Sequence, residues 1–232
     1  MIEAVIFDWG GTLSPWATVD HLASWRAYAD ELHPGDTVAA ERAAAALLAA
    51  EQARWTLAEE THRAFTLAHV LADAQVATHD LGLAAYQRYW VHATYTDPEA
   101  APMLAELKRY GLALGVLSST GWPAAWHEEF LHRDGVLELF DGCVWSSDLE
   151  WTKPHPAAFE AAMTVLGVRN PTRCVFVGDR PYDDISGAKA VGMRAVLVPH
   201  SDIPEHQQVP VEVSPDAVIQ RLADLPGVLA DW

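Results

Sequence analysis

Short apolar runs alternate with amphipathic stretches along much of this chain, and this alternation predicts the architecture. The runs lie near residues 3–8, 112–117, 142–145, 173–177 and 194–198. They have the length of buried strands, and helical periodicity such as "EAAPMLAELKRYG" separates the later ones. Strands that alternate with helices favour an α/β fold, with a doubly wound parallel sheet covered on both faces.

The segment between residues 15 and 97 interrupts this alternation. It contains no strand-like run, and its stretch "DTVAAERAAAALLAAEQARWTLAEETHRAF" has the composition and spacing of amphipathic helices. Turn signals at 34–35 and 78–80 separate those helices. The predicted organisation is an α/β core formed by residues 1–14 and 98–232, with a helical cap domain inserted at 15–97. Four cap glutamates are expected on solvated helix faces: Glu41, Glu51, Glu59 and Glu60.

The net charge limits the kinds of partner that this protein is expected to bind, and the cysteines indicate the compartment in which it is expected to work. The 232-residue chain has 15 basic and 32 acidic residues, which gives a net charge of −17. That balance disfavours nucleic acid and anionic membranes, and an anionic substrate would need locally placed cations. The sequence has no signal-peptide pattern, no run long enough to span a bilayer, and two cysteines, Cys143 and Cys174, that are expected to be core thiols. We therefore expect a cytoplasmic protein, and the sequence leaves open whether it forms a homodimer.

Chemically active side chains follow several of the predicted strands. Asp8, Ser118, Ser119 and Asp179 come directly after apolar runs, and Lys153 is expected to open the helix that follows the third run. Ligands of open parallel sheets bind at the carboxyl ends of the strands. Carboxylates suit a divalent cation, while hydroxyls and an ammonium suit phosphate. The pattern therefore predicts a site for phosphate and Mg²⁺ at this edge.

Four stretches, in this order, resemble the motifs of the haloacid dehalogenase (HAD) superfamily. They are "FDWGGTL", "LGVLSST", "SSDLEWTKPHPAAF" and "VFVGDRPYDDISGAKAVGM". The resemblance covers the first strand and nearly everything from residue 98 to 229. It implies a Rossmann-like core, and the position of the helical insertion matches the helical cap of that family.

The resemblance also implies roles for individual residues. Asp8 would be the catalytic nucleophile that forms an aspartyl-phosphate, and Lys153 would offset charge at the reacting phosphate. The implied phosphate-binding set is Thr12, Ser118, Ser119 and Lys153, and the implied metal set is Asp8, the Gly10 carbonyl, Asp179 and Asp184. The expected function is that of a Mg²⁺-dependent phosphatase acting on a small phosphorylated metabolite.

Gly10 departs from the family pattern. Phosphatases of this family have a second aspartate there, which protonates the leaving group and then activates water, whereas glycine does neither. Loss of such an acid–base typically costs about 10²–10⁴ in rate. Two alternatives therefore stay open: a dehalogenase-type hydrolase of carbon–halogen bonds, whose leaving halide needs no proton, and a non-catalytic member that binds a phosphometabolite. A lysine of the cap that forms a Schiff base could also make up for the missing acid, but the sequence has no lysine between residues 14 and 107, which argues against this mechanism.

Further candidates lie close to the motifs in sequence. Trp9, Trp16 and Trp122 are candidates to line the site, although most tryptophans are expected to be packing residues. The histidines nearest to motif edges are His21, His127 and His155, and each is a candidate to replace the missing acid. Asp183 and Asp184 are placed to cap the helix "ISGAKAVG" within the fourth stretch, and Asp183 is expected to be either such a cap or a group that supports the metal ligands from behind.

Overall fold

A six-stranded parallel sheet forms the centre of the molecule, whose computed structural model describes residues 1–199 and 212–232. The strands are β1 (Ala4–Phe7), β2 (Ala113–Ser118), β3 (Gly142–Trp145), β4 (Cys174–Gly178), β5 (Arg194–Leu197) and β6 (Ala217–Val218), in the spatial order β3-β2-β1-β4-β5-β6. The predicted α/β doubly wound fold and its first five strands are confirmed. β6 is only two residues long, too short to produce a recognisable apolar run.

Helices cover both faces of the sheet. They are α1 (His21–Leu32), α2 (Thr37–Thr61), α3 (Leu67–Asp73), α4 (Asp80–Trp90), α5 (Ala100–Arg109), α6 (Ala124–Arg133), α7 (Pro156–Val165), α8 (Gly187–Ala190) and α9 (Leu225–Ala230). Within the described part of the chain, none of them combines the length and apolar character needed to cross a bilayer. A turn separates α1 from α2 at residues 34–35, as the sequence predicts, whereas residues 78–80 lie at the start of α4, which begins at Asp80 with His79 as its N-cap.

The alternation of side chains along β1 divides the core into two layers. Val5 and Phe7 pack with residues of α5, α6 and α9, whereas Ala4 and Ile6 face α7 and α8. All four are fully buried, which explains why this strand is continuously apolar. Among the cysteines, Cys174 is buried as predicted and Cys143 is only partly so.

The helices α1 to α4 form a separate apolar cluster inside the helical segment, residues 15–97. Trp25, Tyr28, Leu47, Val70 and Tyr86 are its central side chains. The helix starts follow from capping, since Asp20 accepts a hydrogen bond from the Ala23 amide at 2.9 Å and Asp36 accepts one from the Ala39 amide at 3.0 Å.

One glutamate of this segment lies where the sequence does not predict it. Glu41, Glu59 and Glu60 are exposed, as expected, but Glu51 is only 6% exposed. Its carboxylate accepts a hydrogen bond from Trp25 Nε1 at 2.8 Å and a long one from the Tyr86 hydroxyl at 3.4 Å. The prediction of a solvated face is wrong for Glu51, because indole and phenol donors compensate the loss of water.

The helical segment lies against the loops that carry the motifs. Its α2–α3 loop, residues 62–66, forms backbone hydrogen bonds with the loop before α7: the Ala64 amide donates to the Glu150 carbonyl at 3.0 Å, and the Thr152 amide donates to the His62 carbonyl at 2.9 Å. At the return to the core, the Asp97 amide donates to the Leu13 carbonyl at 2.8 Å. The division of the chain at 14/15 and 97/98 into core and cap stays a prediction.

Candidate active site

The register of three neighbouring strands brings the predicted site residues together. Phe7 of β1 pairs with Val116 of β2 and with Val177 of β4, and the Asp8 amide donates to the Val177 carbonyl at 2.9 Å. Ser118 and Asp179 therefore lie one residue beyond the level of Asp8, on either side of it. The sequence prediction that these groups share one edge of the sheet is confirmed.

Three carboxylates meet at this edge. Asp8, Asp179 and Asp184 each offer an oxygen within 4.8 Å of the others. Their residues are 5%, 1% and 0% exposed, so the cluster is removed from bulk water. Mutual repulsion between buried carboxylates must be offset by cations or by protons.

Lys153 supplies part of that positive charge. Its Nζ lies 2.8 Å from Asp8 Oδ1 and 2.6 Å from Asp184 Oδ1. Burial lowers the pKa of Lys153, but Asp184 and Asp8 outweigh burial and raise it above the ordinary value. Lys153 does not open α7, which begins at Pro156 with His155 as its N-cap. It lies in the loop before the helix, from which its side chain spans two acids.

The single ammonium of Lys153 does not balance the charge of three carboxylates. Burial and the neighbouring Asp184 and Asp8 raise the pKa of Asp179 to about 8. Burial raises the pKa of Asp184 to about 7, against the opposing effect of Lys153. Asp179 Oδ2 is buried without a hydrogen-bond partner among the described residues, and Arg180 Nε is 3.6 Å away from it. An acid-rich site with one such oxygen fits a divalent cation.

The fourth motif forms a π-helical turn, Pro181–Ser186, rather than a regular helix start. Arg180 occupies the N-cap position of that turn, and Asp183 and Asp184 lie inside the turn. The capping role predicted for these two aspartates is therefore wrong. Asp184 Oδ2 instead accepts a hydrogen bond from the Arg180 amide at 2.9 Å, which leaves Oδ1 for Lys153.

The hydroxyl candidates differ in what they contact in the structure. Thr12 Oγ1 donates a long hydrogen bond to Asp179 Oδ1 at 3.4 Å. Ser118 is 4% exposed at the end of β2. Ser119 Oγ accepts a hydrogen bond from Thr152 Oγ1 at 2.6 Å, so the loop of the second motif is tied to the loop that carries Lys153.

His127 is a structural residue. It is 1% exposed, its Nε2 lies 2.9 Å from Thr120 Oγ1, and its ring stacks on Trp145 at 4.2 Å between centroids. Burial lowers the pKa of His127 to about 3. Trp9, which is 8% exposed, packs edge-on against it at 4.7 Å. These side chains hold the loop after β2 in place and are buried in packing.

The other candidates also have local partners. His155 Nδ1 accepts a hydrogen bond from the Ala157 amide at 3.2 Å, as a helix cap. His21 Nδ1 lies 3.7 Å from Glu51 Oε2, inside the helical segment. Trp16 lies under the Arg180 guanidinium, 5.1 Å from ring centroid to Cζ, next to the acidic cluster.

Two residues at this edge carry no signal in the sequence. Tyr182, in the π-helical turn, contacts His62 of the α2–α3 loop, with its hydroxyl 3.4 Å from His62 Nε2. His62 lies far from every motif along the chain, and only the packing of the helical segment brings it to the fourth motif. No local pattern could have predicted this contact.

Comparison with known families assigns this fold and its acidic strand edge to a class of hydrolases. The chain belongs to the haloacid dehalogenase-like hydrolase family, whose sequence model matches residues 2–192.

Particular relatives show where within the family the similarity lies. The chain is 37% identical over 131 residues to phosphoserine phosphatase of Thermus thermophilus, a match that covers 56% of this chain and 49% of that protein. It is 32% identical over 162 residues to glyceraldehyde 3-phosphate phosphatase of Methanopyrus kandleri, a match that covers 70% of this chain and 65% of that protein. The matched part thus spans about half to two thirds of these relatives.

Solved structures match over nearly the whole chain. A HAD phosphatase from Thermococcus onnurineus has a TM-score of 0.72 at 24% identity, with 98% of both chains covered, and it supports the fold alone. A 2-haloacid dehalogenase from Pseudomonas syringae pv. Tomato DC3000 has a TM-score of 0.66 at 27% identity, with 100% of both chains covered.

Proposed function

We propose that this protein is a Mg²⁺-dependent phosphatase that acts on a small phosphorylated metabolite through an aspartyl-phosphate on Asp8. One observation carries the proposal. Three buried carboxylates surround the end of β1 with a single lysine between two of them, and one oxygen of Asp179 has no hydrogen-bond partner in the described residues. That excess of negative charge matches a site that takes a cation together with an anionic group.

The residues present fit the cation. Asp8, the Gly10 carbonyl and Asp179 would hold Mg²⁺ through hard oxygen ligands. Asp184, whose two oxygens already accept hydrogen bonds from Lys153 and the Arg180 amide, adds its charge to the set. When bound, Mg²⁺ would act as a Lewis acid and reduce the repulsion between the Asp8 carboxylate and phosphate.

The chain's own side chains account for the remaining chemistry. A carboxylate nucleophile has no proton to lose before it attacks, so the attack on phosphorus needs no base. A bond forms between Asp8 and phosphorus while the ester bond to the leaving oxygen breaks, and water then hydrolyses the acyl phosphate. Lys153 orients Asp8 through their 2.8 Å ion pair. Ser118, Ser119 and Thr12 would bind the phosphate oxygens from the strand edge.

A dehalogenase activity is the second candidate function. The 27% identity to a 2-haloacid dehalogenase over the whole chain favours it, and so does Gly10, because a departing halide needs no proton. The acidic cluster argues against it, since a substrate without phosphate or metal gives Asp179 no evident task. The non-catalytic alternative rests on Gly10 alone.

A substrate screen separates the three functions. Inorganic phosphate and halide release would be measured on a panel of phosphate monoesters and 2-haloacids, with Mg²⁺ and with EDTA. We expect phosphate release that stops in EDTA. Halide release that persists in EDTA would favour the dehalogenase, and ligand binding without either product would favour the binding protein.

Metal binding should also appear in the pH dependence of stability. The pKa of Asp179 is about 8 in the folded state, against an ordinary value of 3.8. Between these two pH values, Asp179 is protonated in the folded protein and ionised in the unfolded chain. Stability of the metal-free protein should therefore fall as pH rises from about 5 to about 8. Calorimetric Tm measurements in EDTA would check this sign. Asp179→Asn should flatten the slope, and Mg²⁺ should raise Tm more at the higher pH.

The outcome that contradicts this assignment is equally specific. A wild-type Tm that Mg²⁺ leaves unchanged at both pH values would mean that the acids bind no cation. Asp73→Asn is the control, because Asp73 is an exposed acid paired with Arg54 on the helical segment. Its Tm should respond to pH and Mg²⁺ as the wild type does.

A further inference from the structure

One short stretch of the helical segment contacts the loops of three motifs. The α2–α3 loop is bonded to Glu150 and Thr152 before α7, the Leu67 amide that follows it donates to the Gly121 carbonyl at 2.8 Å, and the His62 ring meets Tyr182 of the π-helical turn. Phe65 fills the space beside Gly121, where a Cβ would lie 2.8 Å from its ring. The loop is thus held over the strand edge from several sides.

His62 is the titratable residue at the start of this loop. It ends α2 with φ 56°, a left-handed backbone conformation that is uncommon for a residue other than glycine. Its carbonyl accepts from the Thr152 amide, one residue before Lys153, whose Nζ contacts Asp8. Its Nε2 lies 3.4 Å from the Tyr182 hydroxyl, and Tyr182 precedes Asp184 by two residues. The backbone and the ring of His62 are therefore both fixed to loops of the acidic cluster.

The ring of His62 is held on one side only. In residues 1–199 and 212–232, Nε2 contacts Tyr182 and Nδ1 has no hydrogen-bond partner. A base whose second nitrogen is oriented by a neighbouring group is a recurring arrangement in acid–base catalysis. Imidazole exchanges protons near neutral pH, as this role requires.

We propose that His62 is the catalytic acid–base and takes the role that an aspartate at position 10 has in other phosphatases of the family. This role rests on the phosphatase function proposed above. As Asp8 forms its bond to phosphorus and the ester bond breaks, the leaving oxygen keeps the bonding electrons and takes a proton from the imidazolium of His62. The neutral ring then accepts a proton from the water that attacks the acyl phosphate. The P–O bond to Asp8 breaks, which restores the carboxylate and the imidazolium.

The other histidines near the motifs are occupied elsewhere. His127 is enclosed among aromatic rings and neither ring nitrogen reaches the acidic cluster in the contacts described. His155 caps α7, and His21 packs against Glu51 and Trp90 within the helical segment. Of the histidines in residues 15–97, His62 is the one whose ring contacts a motif residue in the described structure.

The test variant is His62→Asn. Asparagine tolerates a left-handed backbone and can hydrogen-bond to Tyr182, but it does not transfer a proton at neutral pH. For an alkyl phosphate, whose leaving alkoxide needs a proton, kcat/KM should fall about 10²-fold or more. For an aryl phosphate with a weakly basic leaving group such as p-nitrophenolate, the loss should stay below about threefold, since that departure needs little acid assistance. His92→Asn, at an exposed histidine of the same segment, is the matched control and should change neither rate.

Repeating His62→Asn in a second variant, Gly10→Asp, tests whether His62 acts as the missing acid. Gly10→Asp introduces a carboxylic acid on the nucleophile loop, so His62→Asn should cost far less on alkyl phosphates in that background than in the wild type. Equal losses on aryl and alkyl esters, no loss on either, or the same cost in both backgrounds would overturn the role of His62. A wild type that releases no phosphate from any ester would overturn the proposed function and this inference with it. An active wild type with an unaffected His62→Asn variant overturns the inference alone.

Discussion

Asp8→Asn is expected to reduce phosphate release by about 10⁴-fold or more, the largest effect predicted for any single substitution in this chain. Asparagine matches aspartate in shape but has no anionic oxygen to attack phosphorus, and removal of a nucleophile that acts with its neighbours removes nearly all catalysis. Lys153 would keep its 2.6 Å contact with Asp184, so the loop should keep its place. Initial rates on an aryl phosphate in Mg²⁺ would measure the loss, and mass spectrometry of quenched wild-type turnover would detect phosphate on Asp8.

Asp73→Asn serves as the control for this substitution, since it removes a carboxylate that is paired with Arg54 and lies away from the strand edge. Its rate should equal that of the wild type. Circular dichroism would establish that both variants are folded. A folded Asp8→Asn protein that keeps more than about a tenth of wild-type activity would remove Asp8 as the nucleophile and with it the acyl-phosphate mechanism.

Local patterns predict most of the sheet and its acidic edge, for a physical reason. A buried parallel strand must be apolar on both faces, so β1, β2 and β4 appear as continuous apolar runs. A polar group that follows such a run lies at the carboxyl end of the strand whatever the rest of the fold does. Asp8, Ser118 and Asp179 are placed by this rule alone.

Long-range packing determines what the local patterns miss. Glu51 has the spacing of a solvated helix residue, yet donors on α1 and α4 bring it into the apolar cluster. The capping role predicted for Asp184 fails because Asp184 lies inside the π-helical turn, where its Oδ1 binds a lysine from another loop. His62 reaches Tyr182 across 120 residues of sequence. In each case the decisive partner is distant along the chain.

The two glycines of the first motif are expected to respond in opposite ways to a side chain. Gly10 does not have a left-handed backbone, and a Cβ built there meets nothing within 4 Å. Gly11 has φ +87°, and its Cβ would lie 2.9 Å from Asp179 Oδ1 and 2.7 Å from Asp179 Cγ. A Cβ can therefore be added at Gly10 with little strain, whereas even a methyl group at Gly11 must displace Asp179.

Gly10→Asp should raise alkyl-phosphate hydrolysis about 10-fold over the wild type, within the range for a positioned acid–base. The new carboxyl group would stand on the nucleophile's own loop and would not depend on the position of the helical segment. The gain should be larger, about 10²-fold, when the same substitution is made in His62→Asn. Aryl phosphates should gain little in either background, so the measured quantity is the slope of log kcat/KM against leaving-group pKa, which Gly10→Asp should make shallower.

Gly11→Ala is the matched substitution, and we expect it to destabilise the protein and to disrupt Mg²⁺ binding. A left-handed alanine costs on the order of 1–3 kcal/mol, and the methyl group would push the Asp179 carboxylate out of the acidic cluster. We expect a lower Tm and the loss of the Mg²⁺-dependent rise in Tm. Titration with Mg²⁺, followed by Tm, would compare the two variants directly. If Gly11→Ala binds Mg²⁺ as the wild type does, Asp179 is not a ligand. If a folded Gly10→Asp protein leaves the slope unchanged, the missing aspartate does not limit departure of the leaving group.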